Sequence, residues 1–333
     1  MPNPPLSRRH FATSSLAALA AGLSSSSTAA EPRTPAAPDF RTPFVFPFRI
    51  GDAEAWSISD ANLMLGEGLD LMWPIDQRNR MLATLQAHGE PDGPLPLYVN
   101  VLVVRHEGEV ILFDAGFGNH GNPRLGWLID GLAAIGIAPA DVTAGFLSHA
   151  HADHLNGFVA DGKPAFPNAT CHVLQAELDF WRGENPDFSK SKRDPKPIPG
   201  MIAEVRKNFD ILAPKTRTVS DGESLYGGLV TVLAAPGHTA GHACFRISSG
   251  EDELFHLMDL AHHHLLMFAD PAWTIAFDHD PAVAVETRRR FWTEAAAKRS
   301  RCFGFHLPWP GLGRIIPEAQ GYRWWPEAWR WPQ

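Results

Sequence analysis

The sequence predicts a mixed α/β (α+β) protein folded as a four-layer sandwich, with two sheets inside and helices outside. Three observations predict it. Strand and helix signals alternate from Phe44 onward without an internal repeat, the strand signals gather into two halves that each keep their own helices, and polar residues cluster where strands end. A chain of 333 residues with a 44% apolar fraction is sufficient for such a core.

The segments before Phe44 are set apart from the fold. Residues 7–23 pair Arg8 and Arg9 with a short, Ala-rich apolar stretch, and small residues follow at Ala18-Leu19-Ala20 and Thr28-Ala29-Ala30. This is a signal-peptide pattern over residues 1–30, and Ser7-Arg8-Arg9-His10-Phe11 resembles the twin-arginine export motif. The expected location is therefore periplasmic or secreted. Residues 31–43 carry four prolines and read as a linker, which leaves residues 44–333 as one domain.

Within that domain, Tyr98–Arg105 and Glu109–Phe113 are β-branched runs joined as a hairpin by His106-Glu107-Gly108, and Asp114-Ala115-Gly116 turns the chain after the second. Met81–His88 and Leu125–Ile135 have helical periodicity. Val142–Leu147 is a short apolar strand, Thr170–Leu174 another, and Gln175–Trp181 opens a helix. Residues 183–200, charged and rich in proline, read as a surface loop. Leu229–Ala234, His242–Ile247 and Glu253–Met258 are strands. Asp280-Pro281 supplies an N-cap and first turn for a helix to about Arg299, and Cys302–His306 is the last strand expected.

Composition excludes several functions. With 29 Lys plus Arg against 37 Asp plus Glu the net charge is −8, and removal of Arg8 and Arg9 with the leader takes it to −10. Such a chain lacks the basic face of a nucleic-acid binder. No run reaches the ~18 apolar residues of a membrane span. Cys171, Cys244 and Cys302 are too few and too widely spaced for a disulfide framework or a C-x-x-C site. The 16 histidines are the abundance that stands out.

Four ligand-capable side chains fall within six residues at His149-Ala-His151-Ala-Asp153-His154. A continuous helix would spread them over two faces, whereas a loop entering a helix aims them at two adjacent metals. His238, Asp259 and His306 follow, each near a strand terminus, where open α/β sheets place their ligands. Imidazoles and carboxylates together suit Zn, Mn, Co or Fe.

The H-x-H-x-D-H stretch, followed by His, Asp and His in that order, resembles the metallo-β-lactamase superfamily. The resemblance implies an αββα sandwich with a dinuclear centre at its edge. It implies one divalent ion, zinc first, on His149, His151 and His238, and a second on Asp153, His154 and His306, with Asp259 bridging. Its chemistry would be attack by a metal-bridging hydroxide on a carbonyl carbon or phosphorus, oriented by Asp153.

Departures narrow the branch. No Cys lies near Asp259, unlike dinuclear β-lactamases; His151 stands where diiron oxygen reductases use Glu; the acidic charge disfavours RNA processing. Glyoxalase II resembles the ligand set, but this C-terminus is aromatic rather than basic. Acyl-homoserine lactonases tend to carry Tyr three residues after the bridging Asp, and here His262 stands there. The chain most resembles the methyl parathion hydrolase group, a set of exported ester and organophosphate hydrolases. The expected substrates are small lactones, aryl esters or phosphotriesters, with quorum-quenching lactonase activity or a silent metal-binding protein as the alternatives.

Phe117, Trp181, Phe268, Trp273 and Trp309 lie near ligand loops in sequence and are candidate walls of an apolar pocket. His262 is a candidate catalytic or substrate contact, and a strand there would put His264 on the same face. His242 is expected to be a hydrogen-bond partner rather than a ligand. The aromatic tail, with Trp324, Trp325, Trp329 and Trp331, suits either a cap on the domain or a homodimer interface.

Overall fold

The computed structural model describes residues 44–119 and 121–328. The expected signal peptide (1–30) and linker (31–43), and Trp329 and Trp331, lie outside the described residues.

Two seven-stranded sheets form the interior, and each is laid down strand beside strand in chain order. The first comprises β1 (Val45–Ile50), β2 (Ala53–Leu65), β3 (Leu95–His106), β4 (Glu109–Phe113), β5 (Ala144–Leu147), β6 (Thr170–Leu174) and β7 (Thr216–Val219). Pairing is antiparallel from β1 to β4 and parallel from β4 to β7. The second comprises β8 (Ser224–Leu225), β9 (Val230–Ala234), β10 (Ala243–Ser249), β11 (Asp252–His256), β12 (Arg301–Phe303), β13 (Leu312–Pro317) and β14 (Tyr322–Pro326). All its pairs are antiparallel except β11 with β12. The sheets meet through aromatic rings, with Phe113 and Phe146 of the first lying 5.2 and 5.5 Å from Phe245 of the second.

Helices α1 (Arg78–Ala87), α2 (Leu128–Ala134), α3 (Ala152–Leu155), α4 (Gln175–Arg182), α5 (Ile198–Leu212), α6 (Leu266–Ala269) and α7 (Pro281–Lys298) accompany the sheets. With both faces covered, strands such as β4 and β5 become apolar runs rather than alternating ones, and all of β5 is buried. The Asp280 carboxylate caps α7 by accepting the Val283 N–H, with Pro281 at the first position. The mixed α/β architecture expected from the sequence is the one observed.

Four local differences matter. The chain enters through β1 and β2, which the sequence pattern does not reveal. The stretch 183–200 is not wholly loop, because its end forms the first turn of α5. Strand β12 stops at Phe303, so that Cys302–His306 is only half strand and the polypeptide is free to turn His306 inward. Nor is β12 the last strand. The tail adds β13 and β14, with Trp324 buried against Phe268 (ring centroids 5.9 Å) and Trp325 exposed. All three cysteines are buried and unbridged. No helix among the described residues is long and apolar enough to cross a membrane.

Candidate metal centre

The centre lies where strands end. After β5 the chain runs without regular structure through Ser148, His149 and Ala150 to an extended His151, then turns into the single turn of α3, which carries Asp153 and His154. The loop between β9 and β10 supplies His238, the bend after β11 supplies Asp259, and the loop after β12 supplies His306. Asp259 follows Met258, whose backbone has φ 46°, a left-handed conformation of the kind held at functional sites.

Five imidazoles and two carboxylates converge. His149 Nε2 and His238 Nε2 each lie 2.9 Å from His151 Nδ1. His154 Nε2 and His306 Nε2 lie 3.5 and 3.4 Å from Asp153 Oδ2. Asp259 stands between the two groups: Oδ2 is 3.1 Å from His238 and 3.2 Å from His306, and Oδ1 is 3.3 Å from His154. All seven predicted ligands are therefore brought together. His149, His151, His238 and Asp259 form one potential metal set, and Asp153, His154 and His306 another.

The surrounding hydrogen bonds fix which nitrogen of each ring faces inward. His154 Nδ1–H donates to Asp114 (2.6 Å), His238 Nδ1–H to Asp278 (2.8 Å) and His306 Nδ1–H to the Tyr98 carbonyl (2.7 Å). The Ser148 hydroxyl donates to Asp114 (2.6 Å), leaving its lone pairs for His149 Nδ1–H at 2.9 Å. Each of these four rings therefore turns an Nε2 lone pair toward the centre, while His151 presents Nδ1 to it. His154 Nε2 and Asp259 Oδ1 are buried with no hydrogen-bond partner among the described residues. Donor types, tautomers and orphaned atoms all fit a pair of divalent cations.

Electrostatics agree. Burial pushes the Asp153 pKa up, but His154 and His306 pull it down to about 2. Burial likewise opposes ionisation of Asp259, and the imidazoles of His154, His306, His149 and His238 hold its carboxyl well below the usual range. Burial disfavours a charged His154, yet Asp259, Asp153 and Asp114 raise its pKa well above the ordinary value. His149 and His151 are driven well below theirs, by burial first and then by neighbouring cations. The cluster thus keeps both carboxylates ionised and cannot protonate all its rings at once.

Further residues build the support. Glu177 of α4 accepts four hydrogen bonds, from Ala150 N–H (2.8 Å), Trp181 Nε1–H (2.7 Å), the Thr239 hydroxyl (2.7 Å) and Gly241 N–H (2.9 Å), tying both histidine loops to one helix. Gly241 lies against the backbone of Glu177 so closely that a Cβ there would collide with it. His242 donates from Nδ1 to the Ala235 carbonyl (2.8 Å) and receives the Asp259 N–H at Nε2 (3.2 Å), a structural partner as expected. Asn100 holds the His306 loop through the carbonyls of Gly304 and Leu307. Asp60, at the β2 bulge, accepts the N–H groups of Phe117 and Leu128 beneath Gly116, whose φ of 70° and contact with that carboxylate leave no room for a side chain. Among these partners, sequence reasoning singled out only His242 and the turn at Asp114.

A cavity of about 240 Å³ opens over the centre. Its apolar walls are Leu63, Leu65, Leu97, Phe117, Met201 and Phe277. Of the five aromatics proposed for this pocket, only Phe117 lines it. Trp181 is fully buried behind His151, with its ring 6.4 Å away and its indole committed to Glu177. Phe268 and Trp273 border a different cavity, Phe268 stacking on Trp292, and Trp309 packs on Phe44. Nearness in sequence to a ligand loop did not specify the face. His262 does reach the centre, with Nε2 3.2 Å from Asp259 Oδ2 and its ring stacked 4.9 Å from His306. The run after it is a bend rather than a strand, so His263 and His264 stack on each other instead.

Residues 94–300 match the metallo-beta-lactamase superfamily. N-acyl homoserine lactonase AttM of Rhizobium johnstonii is 32% identical over 158 residues, 45% of this chain and 48% of that protein. Its counterpart from Agrobacterium fabrum is 31% identical over 124 residues, 36% of this chain and 41% of that protein. The chain thus spans about half the length, or less, of these curated relatives. Among solved structures, AidC, a dizinc quorum-quenching lactonase, is 30% identical with a TM-score of 0.82, covering 86% of this chain and 98% of that one. The hydrolase AbOPH of the beta lactamase superfamily is 26% identical with a TM-score of 0.76 and the same coverages.

Proposed function

The chain belongs to the metallo-beta-lactamase superfamily and is a metallohydrolase, and from that premise we propose that it opens lactones bearing an apolar acyl chain, N-acyl homoserine lactones foremost. The observation that carries this reading is the placement of His151, His238, His306 and the carboxylates of Asp153 and Asp259 on the floor of a cavity with otherwise mainly apolar walls. His149, His151 and His238 would hold one divalent ion and Asp153, His154 and His306 the other, with Asp259 between them; zinc is the proposed metal. Two such ions supply Lewis acidity and bring the pKa of a water from ~15.7 toward 7.

The protein's own groups do the rest. Asp153 is the most accessible of the carboxylates, with 15% of its side chain exposed, so it orients the attacking water and carries its proton toward the leaving alkoxide. Asp114 and Asp278 lock the ligand tautomers. Leu63, Leu97 and Met201 take the acyl chain. His262, hydrogen bonded to Asp259, faces the scissile group.

A second reading, aryl ester or phosphotriester hydrolysis, draws support from His262, which stands at the position where acyl-homoserine lactonases tend to carry Tyr. One panel separates the two: an N-acyl homoserine lactone, a δ-lactone, a p-nitrophenyl ester and a methyl phosphotriester, each with and without chelator. Lactone turnover that chelation abolishes, with two metals per chain by elemental analysis, is the expected result. Full activity in His151→Ala, or in metal-free protein, would refute the reading. Export through residues 1–30 belongs to the same proposal, and retention of the full-length protein in the cytoplasmic fraction would overturn it.

A further inference from the structure

We propose that Arg193 is a specificity-determining residue of this cavity: its guanidinium binds an acceptor oxygen beside the scissile group, the amide oxygen of an N-acyl lactone. The inference rests on the lactonase reading above. Arg193 is the one Lys or Arg lining the cavity among the described residues. Its guanidinium lies over the Phe277 ring at 4.9 Å, and Nη2 stands 3.1 Å from His151 Nε2. No carboxylate lies within ion-pair distance of it among the described residues. The half-buried guanidinium feels the carboxylates of Asp153 and Asp278 only from beyond ion-pair distance, which leaves its desolvation poorly offset, so the position calls for an acceptor brought by a ligand.

The segment carrying Arg193 is anchored. Lys190 pairs with Asp280 at 2.5 Å, and Ser191 donates to the carbonyl of Asp278 at 3.0 Å while accepting the Arg193 N–H at 3.3 Å. The arginine is therefore aimed by structure rather than swinging freely from the surface. His151 Nε2 is its present partner, and that contact requires Nε2 to accept. Once Nδ1 is given to a metal, the neutral ring keeps its proton on Nε2 and can no longer accept. The guanidinium donors are then released toward the cavity. A planar donor fork suits a carbonyl oxygen, and its contact with His151 places it beside a ligand ring at the cavity floor. An amide oxygen a few bonds from the lactone carbonyl falls in that interval while the acyl chain runs on to the apolar walls.

The test uses the metal-loaded protein as wild type, Arg193→Met and Arg193→Lys. Calorimetric binding is measured for open-chain N-hexanoyl-homoserine and for 4-hydroxydecanoate, which lacks the amide. Kinetics are measured on the corresponding N-acyl lactone and on γ-decalactone. Loss of a charge-assisted hydrogen bond predicts about tenfold to hundredfold weaker binding of the amide ligand to Arg193→Met, with a matching rise in KM. The ligands lacking the amide should change far less, Arg193→Lys should recover part of the loss, and metal content should stay at two per chain. Equal losses on both ligand types, or loss of metal, would make the role structural and overturn the proposal. Wild-type protein that opens the N-acyl lactone alongside an equally competent Arg193→Met refutes Arg193 alone. Arg193-dependent binding without lactone opening refutes the lactonase reading alone, and absence of both binding and turnover refutes both.

Discussion

Glutamine at position 177 keeps the volume of Glu177 but replaces one acceptor oxygen with a donor, and the cost follows from the partners. Oε1 faces two obligatory donors, Ala150 N–H and Trp181 Nε1–H, so the amide nitrogen cannot sit there. Oε2 faces Thr239 and Gly241. A hydroxyl can turn round and accept, a backbone N–H cannot, so the best arrangement of Glu177→Gln leaves the buried Gly241 N–H unpaired. One such group costs about 1–3 kcal/mol. For a domain of this size that is a fall of about 2–10 °C in Tm. Gly241 and Thr239 belong to the loop of His238, and Ala150 sits between His149 and His151, so the slackening concerns one metal set in particular. The expected assay result is a lower Tm by differential scanning fluorimetry, with weaker retention of one of two zinc ions in a chelator competition. Glu177→Ala, which orphans all four donors, should be worse on both measures. An unchanged Tm together with unchanged zinc affinity in Glu177→Gln would refute the clamp.

Three further outcomes are expected. Burial raises the Asp60 pKa from 3.8 to about 6, so the folded state holds a proton that the unfolded state has released between those values. Stability of metal-free protein should therefore fall by about 2 kcal/mol as pH rises from about 4 to 6.5, a slope that Asp60→Asn should abolish in denaturant titrations at several pH values. Asp259→Asn removes the carboxylate that stands between the two metal sets, and elemental analysis should find one metal or none, with lactone turnover down at least a hundredfold, an order-of-magnitude expectation for loss of the paired centre. Phe117 closes the cavity beside Leu63, so Phe117→Ala should shift preference toward longer acyl chains, read as the ratio of kcat/KM for C12 over C6 lactones.

The ligands were legible because each carries its chemistry in the residue type. H-x-H-x-D-H compresses four of them into one turn of chain, and His238, Asp259 and His306 stand near strand ends that apolar runs announce. Strands β1 and β2 gave no such signal: β2 interleaves Glu54, Ser57, Ser59, Asp60 and Asn62 among its apolar residues, and it is held by pairing rather than by local propensity. Burial of Ser57 and Asp60 inverts the pattern that a sequence reading relies on. The residues that aim the ligands are illegible for a related reason. Glu177, Asp278 and Asp60 are single acids on ordinary helix, loop and strand, and each acquires its function through distant donors such as Ala150, His238 and Leu128, which stand 27, 40 and 68 positions away. Arg193 is the extreme case. In sequence it is one cation among several in a charged, proline-rich stretch that resembles solvated surface. Its position over Phe277 and against His151 exists only because Ser191 and Lys190 fasten that stretch to the residues flanking Asp278. The loop that looked least chemical in the sequence therefore brings an arginine to a cavity whose floor is built of metal-ligand side chains and whose walls are apolar.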